Sequence, residues 1–288
     1  MLHVPAAQWQ RLTMTFALLI LILAFTAPNS AYALDESRVD YEVKFLLDSD
    51  IVLTDDHLLT DAFRELIGAE TDDRAIDVIY LETDERAFDH EGWVNRIRWK
   101  ENKKKIECMY KKRYPLSGED AEAIRAALAK AEADGFTFSD TAYSAEIEWG
   151  YSKMTLSAGM ETSGTYKDYR SMSRFSTADA VDFFKSTMPD EELNWTEEQW
   201  GAAMLDRAQK IGPLQYRRTK GSWDGIEVQV DICPMKDSYT TEMSFKVTGL
   251  DTASTLREKM TAMLEEEGIL LHIDSLKTAT ILDSYLGE

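Results

Sequence analysis

Asp40, Glu42 and Lys44 stand two residues apart, as do Arg96, Arg98 and Lys100. Spacings of two or four also separate Glu107, Lys111 and Arg113, then Glu146 and Glu148, Arg218 and Lys220, Glu227 and Asp231, and Glu242 and Lys246. The positions between them are mostly Ile, Val, Phe, Trp, Met or Tyr. Lys and Arg neutralise phosphate oxygens, Arg through a planar fork that meets two of them at once. Carboxylates gathered at one point hold hard divalent cations such as Mg2+ or Mn2+, and a positioned carboxylate accepts a proton from an attacking water. Such chemistry needs the charges brought together. In a strand, residues i, i+2 and i+4 share one face. One strand with a charged face and an apolar face means only solvent on one side. Seven of them, with acids and bases both aligned, predict charged faces that converge on a common interior.

The elements that must position these residues follow from the same pattern. Strands are predicted over 39–47, 76–82, 93–100, 106–114, from about 142 past Glu148, 214–220, 226–232 and 239–247. Residues 151–160 continue the fifth after a turn. The third and fourth form a hairpin around the Lys-rich tip at 102–105, read as a solvated turn. Helices are predicted over 57–68, closed by Gly68, and over 118–133, closed by Asp134-Gly135. A helical insertion spans about 183–212, stopped by Gly212-Pro213, and a last helix covers about 254–267. Residues 161–175 lack a period and read as a loop. Strands interrupted by helices without a βαβ rhythm give an α+β fold with a mostly antiparallel sheet. Closing eight strands into a tunnel places the charges in a lumen and the helices on the apolar exterior, and it removes the sheet edges. The expectation is a single domain over 34–288 with its core at about 39–247.

The 288 residues carry a formal net charge of −20 and are 44% apolar, enough for a sizeable core. That acidity argues against a general nucleic-acid binder, which needs a basic face to displace counterions. Lys and Arg nevertheless concentrate between Arg96 and Arg113, the pattern of a basic site inside an acidic exterior. Arg11, an apolar run from about Met14 to Ala27 and an Ala31-Tyr32-Ala33 site have the layout of a secretory signal peptide, residues 1–33, cleaved after Ala33. The expected mature chain is therefore exported, and no later segment is apolar enough to span a membrane. In an oxidising compartment, Cys108 and Cys233 form either one disulfide or two buried thiols. His57, His90 and His272 are scattered, and no His or Cys cluster has zinc spacing.

Taken in order, the strands resemble those of the triphosphate tunnel metalloenzymes, the CYTH superfamily. Asp40-Tyr-Glu42-Val-Lys44 resembles the opening E-x-E-x-K strand, Arg96-Ile-Arg98 the arginine strand and Val78-Ile-Tyr-Leu-Glu-Thr-Asp the strand before it. Glu107-Cys-Met-Tyr-Lys111-Lys-Arg113 stands where that family has T-x-K; Glu146-Ile-Glu148 and Arg217-Arg218 match the acidic fifth and basic sixth strands. Val228-Gln-Val-Asp231 and Glu242-Met-Ser244-Phe-Lys246 resemble the closing pair. The resemblance covers about residues 39–247. It implies a phosphate-rich substrate, tripolyphosphate, polyphosphate or a nucleoside triphosphate, hydrolysed with Mg2+ or Mn2+. Lys44, Arg96, Arg98, Lys111, Arg113, Arg218 and Lys246 would bind phosphates. Asp40, Glu42, Asp231 and Glu242 would hold the metal, and Glu42, Glu146 and Glu148 would serve catalysis.

Two positions depart from that pattern. Asp40 is one methylene shorter than the usual Glu, and Ser244 replaces the second acid of the closing E-x-E. A second reading therefore stands beside hydrolysis: a tunnel that captures a polyanion without cleaving it, its charges paired internally. A third is a different hydrolase or a cyclase using Glu146 and Glu148 as acid and base.

Overall fold

The computed structural model describes residues 39–69, 73–100, 106–138, 143–164, 172, 175–274 and 277–287. The predicted signal peptide and the 102–105 tip lie outside them. The described residues form ten strands: β1 Asp40–Leu47, β2 Arg74–Glu82, β3 Trp93–Lys100, β4 Ile106–Pro115, β5 Ser144–Trp149, β6 Met154–Gly164, β7 Gln209–Trp223, β8 Ile226–Pro234, β9 Tyr239–Thr248 and the two-residue β10 Leu270–Leu271. The sheet runs β1-β5-β6-β4-β3-β2-β7-β8-β9 and closes through β1–β9 pairing, Asp40 to Thr248 through Leu47 to Thr241. It is a nine-stranded closed tunnel, with β10 added to the far end of β1.

The expected eight strands become nine because the turn at Gly150–Lys153 starts an independent strand. β6 pairs with β5 on one side and with β4 on the other. The sheet is antiparallel except where β1 runs parallel to β5, Asp40 facing Glu146 and Glu42 facing Glu148. This register sets four acids of the opening and fifth strands side by side.

Period-two alternation explains where each face goes. Tyr41, Val43, Phe45 and Leu47 are buried outward, while Glu42 and Lys44 face the lumen. Burying such side chains contributes about 1.5–3 kcal/mol each. The helices other than the last pack on that outer face. In chain order the helices are α1 Ser49–Val52, α2 Asp61–Leu66, α3 Ala87–His90, α4 Ala121–Ala133, α5 Thr177–Lys185, α6 Asp190–Leu193, α7 Trp200–Leu205, α8 Leu250–Glu266 and α9 Lys277–Leu286. Asp120 caps α4 through Ala123 N at 2.8 Å, and Ser176 and Asp179 form a capping box on α5. α4 lies on β4 and β6, and α8 on β1 and β9.

The single long helix expected over 183–212 is three short ones, α5 to α7, and residues from Gln209 onward belong to β7. Gly212 (φ 102°) sits at a register shift between β2 and β7, where a Cβ would meet Val78 O at 2.6 Å. Glycine there permits the bulge; the Gly-Pro pair bends a strand and does not end a helix.

A second apolar cluster is lumenal. Ile76, Val78 and Tyr80 of β2, Val94 of β3, Leu214 and Tyr216 of β7 and Cys233 of β8 enclose Ile281 and Leu282 of α9. The last helix thus fills one end of the tunnel, a helix absent from the sequence expectation. Both cysteines are free, Cys108 in the outer core and Cys233 in the lumenal cluster, which selects buried thiols over a disulfide. Burial pushes the Cys108 thiol up to about 12.

Candidate functional site

At mid-tunnel a cavity of about 70 Å³ is lined by the cations Lys44, Arg96, Lys111, Arg113, Arg218 and Lys277 and by the carboxylates Glu42, Glu148, Asp231 and Glu242. Six cations face four carboxylates, so the lining is positive in a strongly acidic chain. Successive lumenal positions of β4 contribute Met109, Lys111 and Arg113, with Arg96 on β3 and Arg218 on β7.

Most of these charges are paired. Glu148 lies beneath three cations: Lys111 Nζ at 2.5 Å, Lys44 Nζ at 3.3 Å and Arg113 Nε at 3.3 Å. Burial alone would raise its carboxyl, but those three cations hold it well below the ordinary carboxylate range. Glu42 lies 2.9 Å from Lys44 and 3.8 Å from Lys246. Burial again opposes ionisation, and Lys44, Lys246 and Lys111 outweigh it, lowering Glu42 to about 2. Glu146 pairs with Lys246 and lies 3.7 Å from Lys111. Arg218 grips Asp231 with two parallel bonds, 2.7 and 2.8 Å. Lys277, the first residue of α9, bridges Asp231 at 2.9 Å and Glu242 at 2.7 Å. Burial works against charge on Asp231, but Lys277 and Arg218 keep its carboxyl lowered.

Arg96 is the exception. Among the described residues it has no carboxylate partner: its guanidinium donates to Met109 Sδ at 2.9 Å and faces the phenols of Tyr80 and Tyr216. Its buried Nε makes no hydrogen bond. A desolvated guanidinium without a counter-charge is costly, and an anion in the adjoining cavity would relieve that cost.

The sequence-derived site residues fall into three groups. Glu42, Lys44, Arg96, Lys111, Arg113, Glu148, Arg218, Asp231 and Glu242 line one cavity. Glu146 and Lys246 lie just outside it, joined to Glu42 by the Lys246 contacts. Arg98 pairs with Glu107 at 2.8 Å and Glu161 at 2.7 Å, outside the cavity lining, and Asp40 is exposed at the strand's start. Ser244 is buried in the lumenal series between Glu242 and Lys246, paired in register with Lys44 and Gln229.

Glu42, Glu146 and Glu148 bring one oxygen each to within 4.8 Å of one another. An all-oxygen donor set suits a hard divalent ion. Of the four acids expected at a metal, Glu42 joins the two β5 acids, while Asp231 and Glu242 are bridged by Lys277. Lys277 was missed because it lies beyond the charged strands. Its only signal is the spacing of Lys277, Ile281 and Tyr285, one helical face.

No family model and no curated protein matches the sequence. Among solved structures, the chain is similar to HpAC1 from Hippeastrum, a protein named as an adenylyl cyclase and described as revealing a dominant triphosphatase activity. The identity is 14%, the TM-score 0.48, and the match covers 83% of this chain and 93% of that one. It is also similar to a Bacillus halodurans protein named as an adenylate cyclase, at 14% identity and TM-score 0.47 over 84% and 96% of the two chains. PH1012 from Pyrococcus horikoshii follows at 12% and 0.42, over 84% and 99%. Similarity at this level leaves the reading of the site to its own geometry.

Proposed function

We propose that the tunnel binds a phosphate-rich anion and hydrolyses a phosphoanhydride bond in it with the help of Mg2+ or Mn2+. The observation that carries this reading is the cation excess of the cavity, with Arg96 buried at its wall and, among the described residues, lacking a carboxylate. In this reading Arg96, Lys111, Arg113 and Arg218 hold phosphate oxygens, and Lys44 orients the chain end nearest Glu148. Arg98 and Lys246 serve the outer end. Glu42, Glu146 and Glu148 would hold the metal, with Asp40, Asp231 and Glu242 as more distant acids. When bound, the ion would polarise a phosphoryl group.

The carboxylates differ in their fitness for proton transfer. A general base works best with a pKa near the working pH. Glu42 and Glu148 are held too acidic for that and contribute fixed negative charge. The proton acceptor is assigned to the Glu146 oxygen that would not be offered to the metal, on the side of its 58% exposed partner Lys246. Walls of Ile76, Val78 and Ile281 at the helix-filled end exclude bulk water.

Export from the cytoplasm, from the leader at residues 1–33, belongs to the same proposal. The test is phosphate release from tripolyphosphate with Mg2+ or Mn2+, expected to be lost in Glu146→Gln. Absence of release with either metal from tripolyphosphate, longer polyphosphate and ATP would overturn hydrolysis. A second reading, capture without cleavage, is favoured by one observation: Lys277 neutralises Asp231 and Glu242 at 2.9 and 2.7 Å. It requires binding that survives EDTA with no release.

A further inference from the structure

Beside the cation-lined cavity lies a larger, chemically different chamber. Its volume is about 320 Å³, within the range of small-molecule sites. The two share Lys44, Glu148 and Glu242. Three strands change character at this boundary, each by one step of two along its lumenal face. β1 passes from Lys44 to Leu46, β4 from Arg113 to Pro115, and β5 from Glu148 to Gly150 at its end. Leu116, Met154 and Ile273 complete a mostly apolar lining.

The chamber has a fastened roof. Asp274 accepts hydrogen bonds from Ser152 N at 2.7 Å and Lys153 N at 3.1 Å, and from Ser152 Oγ, tying the segment after β10 across the turn that follows β5. Gly150 makes room for this tie, since a Cβ there would meet Asp274 Oδ1 at 2.8 Å. The result is an apolar space that meets the cation cavity at Lys44, between Glu148 and Glu242.

Inorganic polyphosphate has no use for such a surface. It would leave Leu46, Leu116 and Met154 facing either water or charge. We propose that the physiological ligand is an organic phosphate ester with an apolar alcohol moiety, of the prenyl diphosphate kind, phosphates in the cation cavity and hydrocarbon in this chamber. The proposal rests on the phosphate-site reading above and adds the identity of the organic end. At about 30 Å³ per water-sized group, the space takes on the order of ten heavy atoms. Most of the exposed lining area is apolar, supplied by Leu46, Pro115, Leu116, Met154 and Ile273, which favours hydrocarbon over a nucleobase edge.

The test is calorimetric binding of geranyl diphosphate, inorganic pyrophosphate and ADP to the full chain at fixed Mg2+. Geranyl diphosphate is expected to bind roughly tenfold or more tightly than pyrophosphate, the scale set by hydrophobic pocket contacts. Leu116→Trp, which fills the chamber, is expected to erase that advantage and leave pyrophosphate affinity unchanged. Ile273→Trp is a second variant at a 52% exposed rim position, where folding is not at stake. Equal affinity for geranyl diphosphate and pyrophosphate would overturn this inference and leave the phosphate site standing. Preference for ADP over geranyl diphosphate would overturn the apolar assignment. Failure of all three ligands to bind would overturn the phosphate site itself, and this inference with it.

Discussion

Lys277 Nζ lies 2.7 Å from Glu242 Oε1, joining the last helix of the chain to the last long strand of the tunnel. The same ammonium lies 2.9 Å from Asp231, which Arg218 grips from the other side. Asp231 and Glu242 face each other across the β8–β9 ladder, so Lys277 separates two buried like charges. Burial disfavours the ammonium, yet Asp231 and Glu242 keep it charged well above the ordinary lysine range.

Removing that cation leaves Glu242 as a buried, uncompensated charge. Lys277→Met is expected to lower unfolding free energy by about 3–5 kcal/mol, the cost of breaking a buried pair from one side. Adding Glu242→Gln to the same chain is expected to restore most of the loss, because Asp231 keeps Arg218. Urea unfolding of the two variants measures both numbers. A Lys277→Met chain as stable as the parent would show that α9 is not anchored by this contact.

Acid should unfold the tunnel through its acids. Glu42 is lowered to about 2, and Glu148 and Asp231 are lowered too, all below the values near 4 of unfolded chains. Groups with depressed folded pKa values contribute stability above the unfolded value and lose it as pH falls through the folded one. The denaturant midpoint is therefore expected to drop steeply between about pH 4.5 and 2. A midpoint unchanged down to pH 3 would contradict the pairing.

Glu192 carries the opposite sign. It is fully buried on α6, neither of its oxygens has a hydrogen-bond partner, and the amide of Asn95 on β3 beside it is equally unpartnered. Burial raises its carboxyl to about 8, with Asn95 pulling the other way and Glu82 adding to the rise. A raised acid binds a proton on folding, so stability declines as pH climbs from about 4.5 to 8. Glu192→Gln is expected to flatten that decline, leaving the smaller slope due to Glu82, whose carboxyl burial also raises. Thermal melts at pH 5 and pH 8 check it: the variant should match the parent at pH 5 and exceed it at pH 8.

The tunnel was legible because its signal is local. Asp40, Glu42 and Lys44, or Arg96 and Arg98, announce their shared face by spacing alone, and that places most of the cavity lining. The pairing of strands is not local. Nothing in Glu146-Ile-Glu148 indicates that β5 runs parallel to β1, yet that register puts Glu146 and Glu148 beside Glu42. The stretch 183–212 reads as a helix from its apolar spacing, but Pro189 and the Gln199 backbone at φ 65° divide it, and tertiary pairing claims Gln209 onward for β7. Lys277 was hidden for a third reason. A single lysine ahead of a short amphipathic stretch carries no mark of the two carboxylates it will meet 35 and 46 residues back.

The most direct measurement is calorimetric titration of tripolyphosphate into the parent chain and into Arg96→Met. Among the described residues Arg96 is a buried lumenal cation without a carboxylate, so the anion rather than the protein should be its counter-charge. Affinity is expected to fall by roughly 10- to 150-fold, the worth of one hydrogen bond to a charged group, while stability without ligand is unchanged or higher. Equal affinity in the two chains, or an Arg96→Met chain that unfolds more easily without ligand, would show that the lumen charges serve the fold and not a bound anion.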